Sequence, residues 1–118
     1  MSRKPQDFDV EVRRSGATAH IVLEGELDLE SVPVVERLLE RLREDDARHL
    51  VLDLRGLRFI DSSGLNLLLQ LDAAARADGF DLSLVQGGRH VQHLFELTGL
   101  KDHFHLVEPG SLPEADAA

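Results

Sequence analysis

Cysteine is absent from the 118 residues, which excludes disulfides, thiol nucleophiles and thiolate metal sites together and fits a reducing, cytoplasmic setting. Long apolar runs are absent too. The 42% hydrophobic share is scattered in short stretches, so neither a membrane span nor a disordered chain is indicated. The N-terminal MSRKPQDFDV lacks the apolar core of a secretory signal. Basic residues are scarce, with 13 Lys and Arg against 22 Asp and Glu and a net charge of −9. Direct binding to nucleic acid or to anionic lipid would work against that field, no membrane insertion is expected, and a protein partner fits better. Neither Gly-x-Gly-x-x-Gly nor a Walker lysine motif occurs, and Gly87 with Gly88 read as a plain turn. The serine turn leaves room for a nucleotide, but nothing in the spacing requires one, and no cofactor is expected. Internal repeats and linkers are also missing, which leaves one domain over residues 1–118, its ends 1–6 and 109–118 expected to fray.

Phe8, Val10 and Val12 alternate with Asp9, Glu11 and Arg13, and Ala19 to Leu23 is apolar apart from His20. With Ser15 and Gly16 between them, these runs form a hairpin whose first strand is the more exposed. Glu24 to Asp28 lead out of the second strand, and Ser31 is placed to cap a helix with Pro33 in its first turn. Val34, Val35, Leu38, Leu39 and Leu42 keep helical spacing. His49 to Leu54 has the apolar character of a strand inside a covered sheet. A second helix is predicted from Ser62 to about Ala77, stopped by a left-handed Gly79. Phe80, Leu82, Leu84 and Val85 make a fourth strand; Val91, Leu94 and Phe95 mark a third helix stopped by Gly99. Leu100, Phe104, Leu106 and Val107 supply a short last strand at an edge, and Ser111 to Glu114 carries a capping-box pattern with few residues after it. The order β, β, α, β, α, β, α, β gives an α/β fold: a single-layer mixed sheet of about five strands with helices packed against it.

The chain is organised around the segment that starts at Val51, VLDLRGLRFIDSSGLNLLLQ. It reads as an apolar strand, a short break, and then Asp61, Ser62, Ser63 and Gly64 opening a leucine-rich helix. With Asp61 as N-cap, Ile60 falls at N′ and Leu65 at N4, the spacing of a hydrophobic staple, and Ser62 stands at N1. A serine there is either part of an ordinary cap or a phosphate acceptor, because unpaired amides at a helix N-terminus favour negative charge. A hydrolase nucleophile would call for Gly-x-Ser-x-Gly, which is missing. At 100° per residue, Gly64, Leu68, Leu71 and Ala75 form a stripe facing the sheet. Asn66, Leu69, Gln70 and Ala73 form a second stripe, flat and mildly polar, which is either a solvated helix face or a docking surface. The pairs His90/His93 and His103/His105 have spacings that ligate zinc but that also arise on exposed faces, and no cysteine completes a set, so no metal is expected.

Three segments together resemble the STAS family, specifically the bacterial anti-sigma factor antagonists: Gly25-Glu26-Leu27-Asp28, Asp61-Ser62-Ser63-Gly64-Leu65 and Leu97-Thr98-Gly99-Leu100. The serine turn after an apolar strand is the most specific of them, and the likeness spans nearly the whole chain. It implies a regulator rather than an enzyme. Ser62 would be the phosphorylated residue, with Asp28, Asp61, Ser63 and Gly64 around it. The partner implied is an anti-sigma factor that is also a serine kinase, and a serine phosphatase would reverse the modification. The unphosphorylated form would bind that kinase and free a sigma factor; the phosphorylated form would not. Asn66 stands where many relatives carry glycine, and the short C-terminal segment trims a final helix. An alternative on the same fold is a constitutive STAS subunit docking on a transporter ATPase. A ligand-binding or hydrolytic serine site is a third class, predicting saturable small-molecule binding or ester turnover by the isolated chain.

Overall fold

The computed structural model describes residues 7–108, so the expectations for 1–6 and 109–118, including the Ser111 to Glu114 capping-box pattern, lie outside the described residues. The elements run β1 (Phe8–Ser15), β2 (Thr18–Leu27), α1 (Val32–Glu44), β3 (His49–Ile60), α2 (Ser62–Asp78), β4 (Asp81–Val85), α3 (Arg89–Thr98) and β5 (Leu106–Val107). They build one five-stranded sheet in the order β1-β2-β3-β4-β5. β1 pairs with β2 antiparallel across the hairpin, and every later neighbour is parallel. This is the expected mixed α/β sheet with three helices packed against it.

Alternation along the strands puts Ala19, Ile21 and Leu23 of β2 and Leu50, Leu52 and Leu54 of β3 on one face. That face meets Val35, Leu39 and Leu42 of α1, Leu65, Leu68 and Leu71 of α2, and Val91 and Phe95 of α3 in one apolar cluster. Each core side chain of this kind stabilises the fold by roughly 1.5–3 kcal/mol relative to leaving it in water. The predicted inward stripe of α2, Gly64, Leu68, Leu71 and Ala75, is buried throughout. Both glycine stops take the left-handed conformation, Gly79 at φ 77° and Gly99 at φ 74°.

Four elements differ from expectation. β3 does not break after Leu54 but continues for 12 residues to Ile60, and β2 likewise runs on to Leu27. The extra lengths pair with one another through register shifts between Val22 and Glu24 and between Gly25 and Glu26. Gly25 makes the second shift feasible: it sits at φ 98°, and a Cβ there would come within 1.8 Å of the Asp7 carbonyl oxygen. The last strand is only Leu106–Val107, because Phe104 leaves the sheet to pack its ring 5.6 Å from that of Phe95. Phe80 precedes β4 as a buried ring beneath the Arg43 guanidinium, 4.5 Å from its centroid.

The opposite alternation set, on the second face of the sheet, holds a polar network that the strand pattern did not flag. His20 Nε2 donates to Asp53 Oδ2 at 3.2 Å, and Arg55 donates to the same carboxylate from Nε at 2.9 Å, from its guanidinium terminus at 2.6 Å and from its backbone amide at 3.1 Å. Asp53 is 2% exposed. Burial by itself raises its carboxyl, but the hydrogen bonds from the Arg55 side chain and backbone and from His20 outweigh it and hold the group below its ordinary value of 3.8. The unfolded chain therefore takes up this proton first as pH falls. The network's contribution is complete above about pH 5 and is lost as pH drops through the folded value. Urea midpoints measured from roughly pH 6 down to pH 3 are expected to fall more steeply for the wild type than for Asp53→Asn, and equal slopes would refute the assignment.

Candidate functional site

Leu27 and Ile60 are register partners on the last rung between β2 and β3. Asp28 and Asp61 therefore leave the sheet side by side at its carboxyl end, where ligands of open α/β sheets commonly bind. The Asp61 amide donates to the Leu27 carbonyl at 3.2 Å and ties the two exits together. Each aspartate then turns its own chain in the same way. Asp61 Oδ1 accepts from the amides of Ser63 at 2.9 Å and Gly64 at 3.2 Å, while Asp28 Oδ1 accepts from those of Glu30 and Ser31, both at 3.1 Å. In both cases the donors lie two and three residues ahead, the reach of a short carboxylate over a helical or turn-like start.

Asp61 is the N-cap of α2, with the extended backbone (φ −107°, ψ −171°) that a cap needs. Ile60 and Leu65, at the staple positions, are both buried. Gly64 faces inward: a Cβ on it would lie 2.7 Å from Ile60 Cγ1 and 2.8 Å from the Leu27 carbonyl oxygen. The glycine thus lets the first turn of α2 rest directly on the last rung of the sheet.

Ser31 does not cap α1 as its position led us to expect. It is wholly buried, its backbone is helical, and its hydroxyl makes no bond to the helix amides. The hydroxyl accepts from the Asp28 amide at 2.8 Å and donates to the Glu26 carbonyl at 2.8 Å. Asp28 already serves the amides of this turn, so the serine is used backwards, to lock the strand exit.

With capping done by Asp61, the Ser62 side chain at N1 is exposed and has no bonding partner among the described residues. Ser63 is half-buried beside it. Along α2, Asn66, Gln70 and Ala73 are exposed and Leu69 is half-buried. Ser62 thus heads an outward face of small, weakly polar side chains, while Asp28 stands half-buried on the neighbouring strand exit. His49 and His105 line one shallow cavity beside Asp81 and Ser83. His90 stacks on Phe59 with ring centroids 5.5 Å apart, His93 is exposed, and His103 lies in a turn where Nε2 donates to Asp72 Oδ2 at 3.1 Å. Among the described residues no three His, Cys, Asp or Glu side chains are grouped as a metal site would require.

The sequence model of the family described as "Mlab, STAS domain" matches residues 10–108. An anti-sigma-B factor antagonist of Staphylococcus aureus is 29% identical over 102 residues, covering 86% of this chain and 94% of its own. Another, from Staphylococcus epidermidis, is 31% identical over 84 residues, covering 71% and 78%. The chain belongs to the STAS-domain family of anti-sigma factor antagonists. Solved structures agree. The STAS domain described above resembles an anti-sigma factor antagonist from Mycobacterium paratuberculosis with a TM-score of 0.72 at 25% identity, covering 92% of this chain and 91% of that one. It resembles unphosphorylated SpoIIAA with a TM-score of 0.68 at 25% identity, covering 87% and 90%. Among the described residues of this STAS domain, no helix is long and apolar enough to cross a membrane.

Two features of the site went unread in the sequence. Leu29, between Asp28 and Glu30, is 75% exposed, and Phe59, just before the serine turn, is 39% exposed. Leu29 carried no periodic signal because it lies between elements, and Phe59 fell in what looked like a break.

Proposed function

We propose that this protein is a cytoplasmic, phosphorylation-controlled antagonist that acts by switching partners. Its unphosphorylated form binds an anti-sigma factor that is also a serine kinase and thereby releases a sigma factor. The kinase modifies Ser62, which ends the binding, and a serine phosphatase restores it. The binding surface comprises Asp28, Asp61, Ser63, Gly64, Asn66, Leu69, Gln70 and Ala73, with Gly64 acting from within by setting the position of the helix.

One observation carries this reading: Asp61 performs the capping, so the Ser62 hydroxyl stands exposed and unbonded at the head of an outward helix face. A phosphate there adds about −1.5 to −2 charges and three acceptor oxygens. Asp61 and Asp28 already give this end of the sheet a negative character, so the approach of a matched surface is opposed by repulsion and by the cost of burying unpaired charge.

Incubation with the cognate kinase and ATP is expected to add a single phosphate, seen as one mass increment, to wild type and to Ser63→Ala. Ser62→Ala should stay unmodified; a modified Ser62→Ala chain would overturn the assignment. Copurification decides against the transporter reading if the captured partner is an anti-sigma kinase, and in its favour if it is a transporter ATPase.

A further inference from the structure

Large apolar side chains left exposed are few among the described residues: Leu29, Val34, Phe59 and Leu97. Three of these four belong to one end of the molecule. Leu29 is in the turn between β2 and α1, Val34 is in the first turn of α1, and Phe59 is the penultimate residue of β3. That is the end at which Ser62 opens α2. Leu97 lies near the far end of α3.

Leu29 is the extreme case, 75% exposed, yet the backbone that carries it is fixed. Asp28 Oδ1 holds the Glu30 and Ser31 amides on one side, and the buried Ser31 hydroxyl joins the Asp28 amide to the Glu26 carbonyl on the other. An exposed leucine on a rigid turn contributes nothing to the core. Its burial against another surface is favourable, and little conformational freedom remains to be lost when that happens. Its own segment carries Glu26, Asp28 and Glu30 and the adjacent exit carries Asp61; Glu26 pairs with the Arg58 guanidinium at 3.7 Å, which leaves the carboxylates of Asp28, Glu30 and Asp61 without a cationic partner among the described residues. A second copy of this chain docking symmetrically would set these carboxylates against one another, so the charge pattern opposes self-association here.

We propose that Leu29 is the apolar anchor of the partner-binding surface. Its partner is the anti-sigma factor that also reads Ser62, and that protein offers an apolar pocket for Leu29 rimmed by Arg or Lys side chains. This rests on the function proposed above and assigns to the β2–α1 turn a specificity role separate from that of the serine. Such anchors, small in number and surrounded by polar rims, carry a large part of the energy in protein interfaces.

The test uses the full chain in its source cell with photoreactive benzoylphenylalanine placed at position 29, 66 or 77. Position 77 replaces exposed Ala77 near the C-terminal end of α2 and reports background. Positions 29 and 66 are expected to capture one and the same protein, and position 77 not to. Once that protein is purified, Leu29→Ala should weaken its binding about tenfold or more. The thermal midpoint should stay within about 2 °C, because the side chain leaves no cavity. Capture from position 66 without capture from 29, or unchanged affinity of Leu29→Ala, overturns the anchor and leaves the serine switch standing. Capture from neither position overturns both.

Discussion

Gly25→Ala is expected to lower stability by about 3 kcal/mol or more, with β1 losing its hold on the sheet. Two costs combine. At φ 98° an L residue is strained, a penalty of roughly 1–3 kcal/mol. The new Cβ would also meet the Asp7 carbonyl oxygen at 1.8 Å, a backbone contact that no rotamer change relieves. The chain entering β1 must then retreat, which breaks the 2.7 Å hydrogen bond from the Glu26 amide to that same oxygen. For a chain of this size each kcal/mol lowers the melting temperature by about 4–8 °C, so a drop of roughly 12 °C or more should appear in a thermal melt. Gly16→Ala is the matched control: it also has positive φ, at 61°, but nothing lies within 4 Å of its Cβ. It should cost only about 1 kcal/mol. Equal losses from the two substitutions would show that the close approach at Gly25 does not matter.

Ser62→Glu should reduce affinity for the anti-sigma kinase by about 100-fold, equivalent to about 2.7 kcal/mol, while Ser62→Ala stays within about threefold of wild type. The difference is electrostatic. Alanine removes a hydroxyl that bonds to nothing among the described residues, whereas glutamate adds charge beside Asp61 on the face proposed above to bind the partner. Neither change touches the cap or the core, so both variants should melt with the wild type. Titration calorimetry against the purified kinase reads the outcome. Unchanged affinity of Ser62→Glu would place the switch elsewhere.

The parts of this fold legible in the sequence are those where one local rule operates. Alternation reveals β1 and the first half of β2, helical spacing reveals all three helices, and Gly79 and Gly99 mark the ends of α2 and α3. The second half of β3 was hidden for a tertiary reason. β4 pairs only as far as Asp53, so the stretch from Arg55 to Ile60 has β2 as its strand neighbour, and its polar residues and Gly56 disguise it as a loop. The His20–Asp53–Arg55 network was hidden by sequence distance: two polar residues in otherwise buried strands were the available signal, and only the register brings them together. In the site, the capping role of Asp61 and the freedom of Ser62 followed from spacing. The inward facing of Gly64 followed from the helical stripe, but its close contact with Leu27 and Ile60 did not, and the role of Ser31 differs from the expected cap because Asp28 already serves the amides of that turn.

The Asp61 cap has one more consequence. The amides of Ser63 and Gly64 are the donors that a phosphate at a helix start would normally use, and Asp61 already holds both. A phosphoryl group on Ser62 would therefore find both of those donors already taken. On the function proposed above, the modification would act through the charge it adds at the surface. On that same reading, the speed of the response would then be set by the enzymes that add and remove the phosphate and by dissociation of the bound partner.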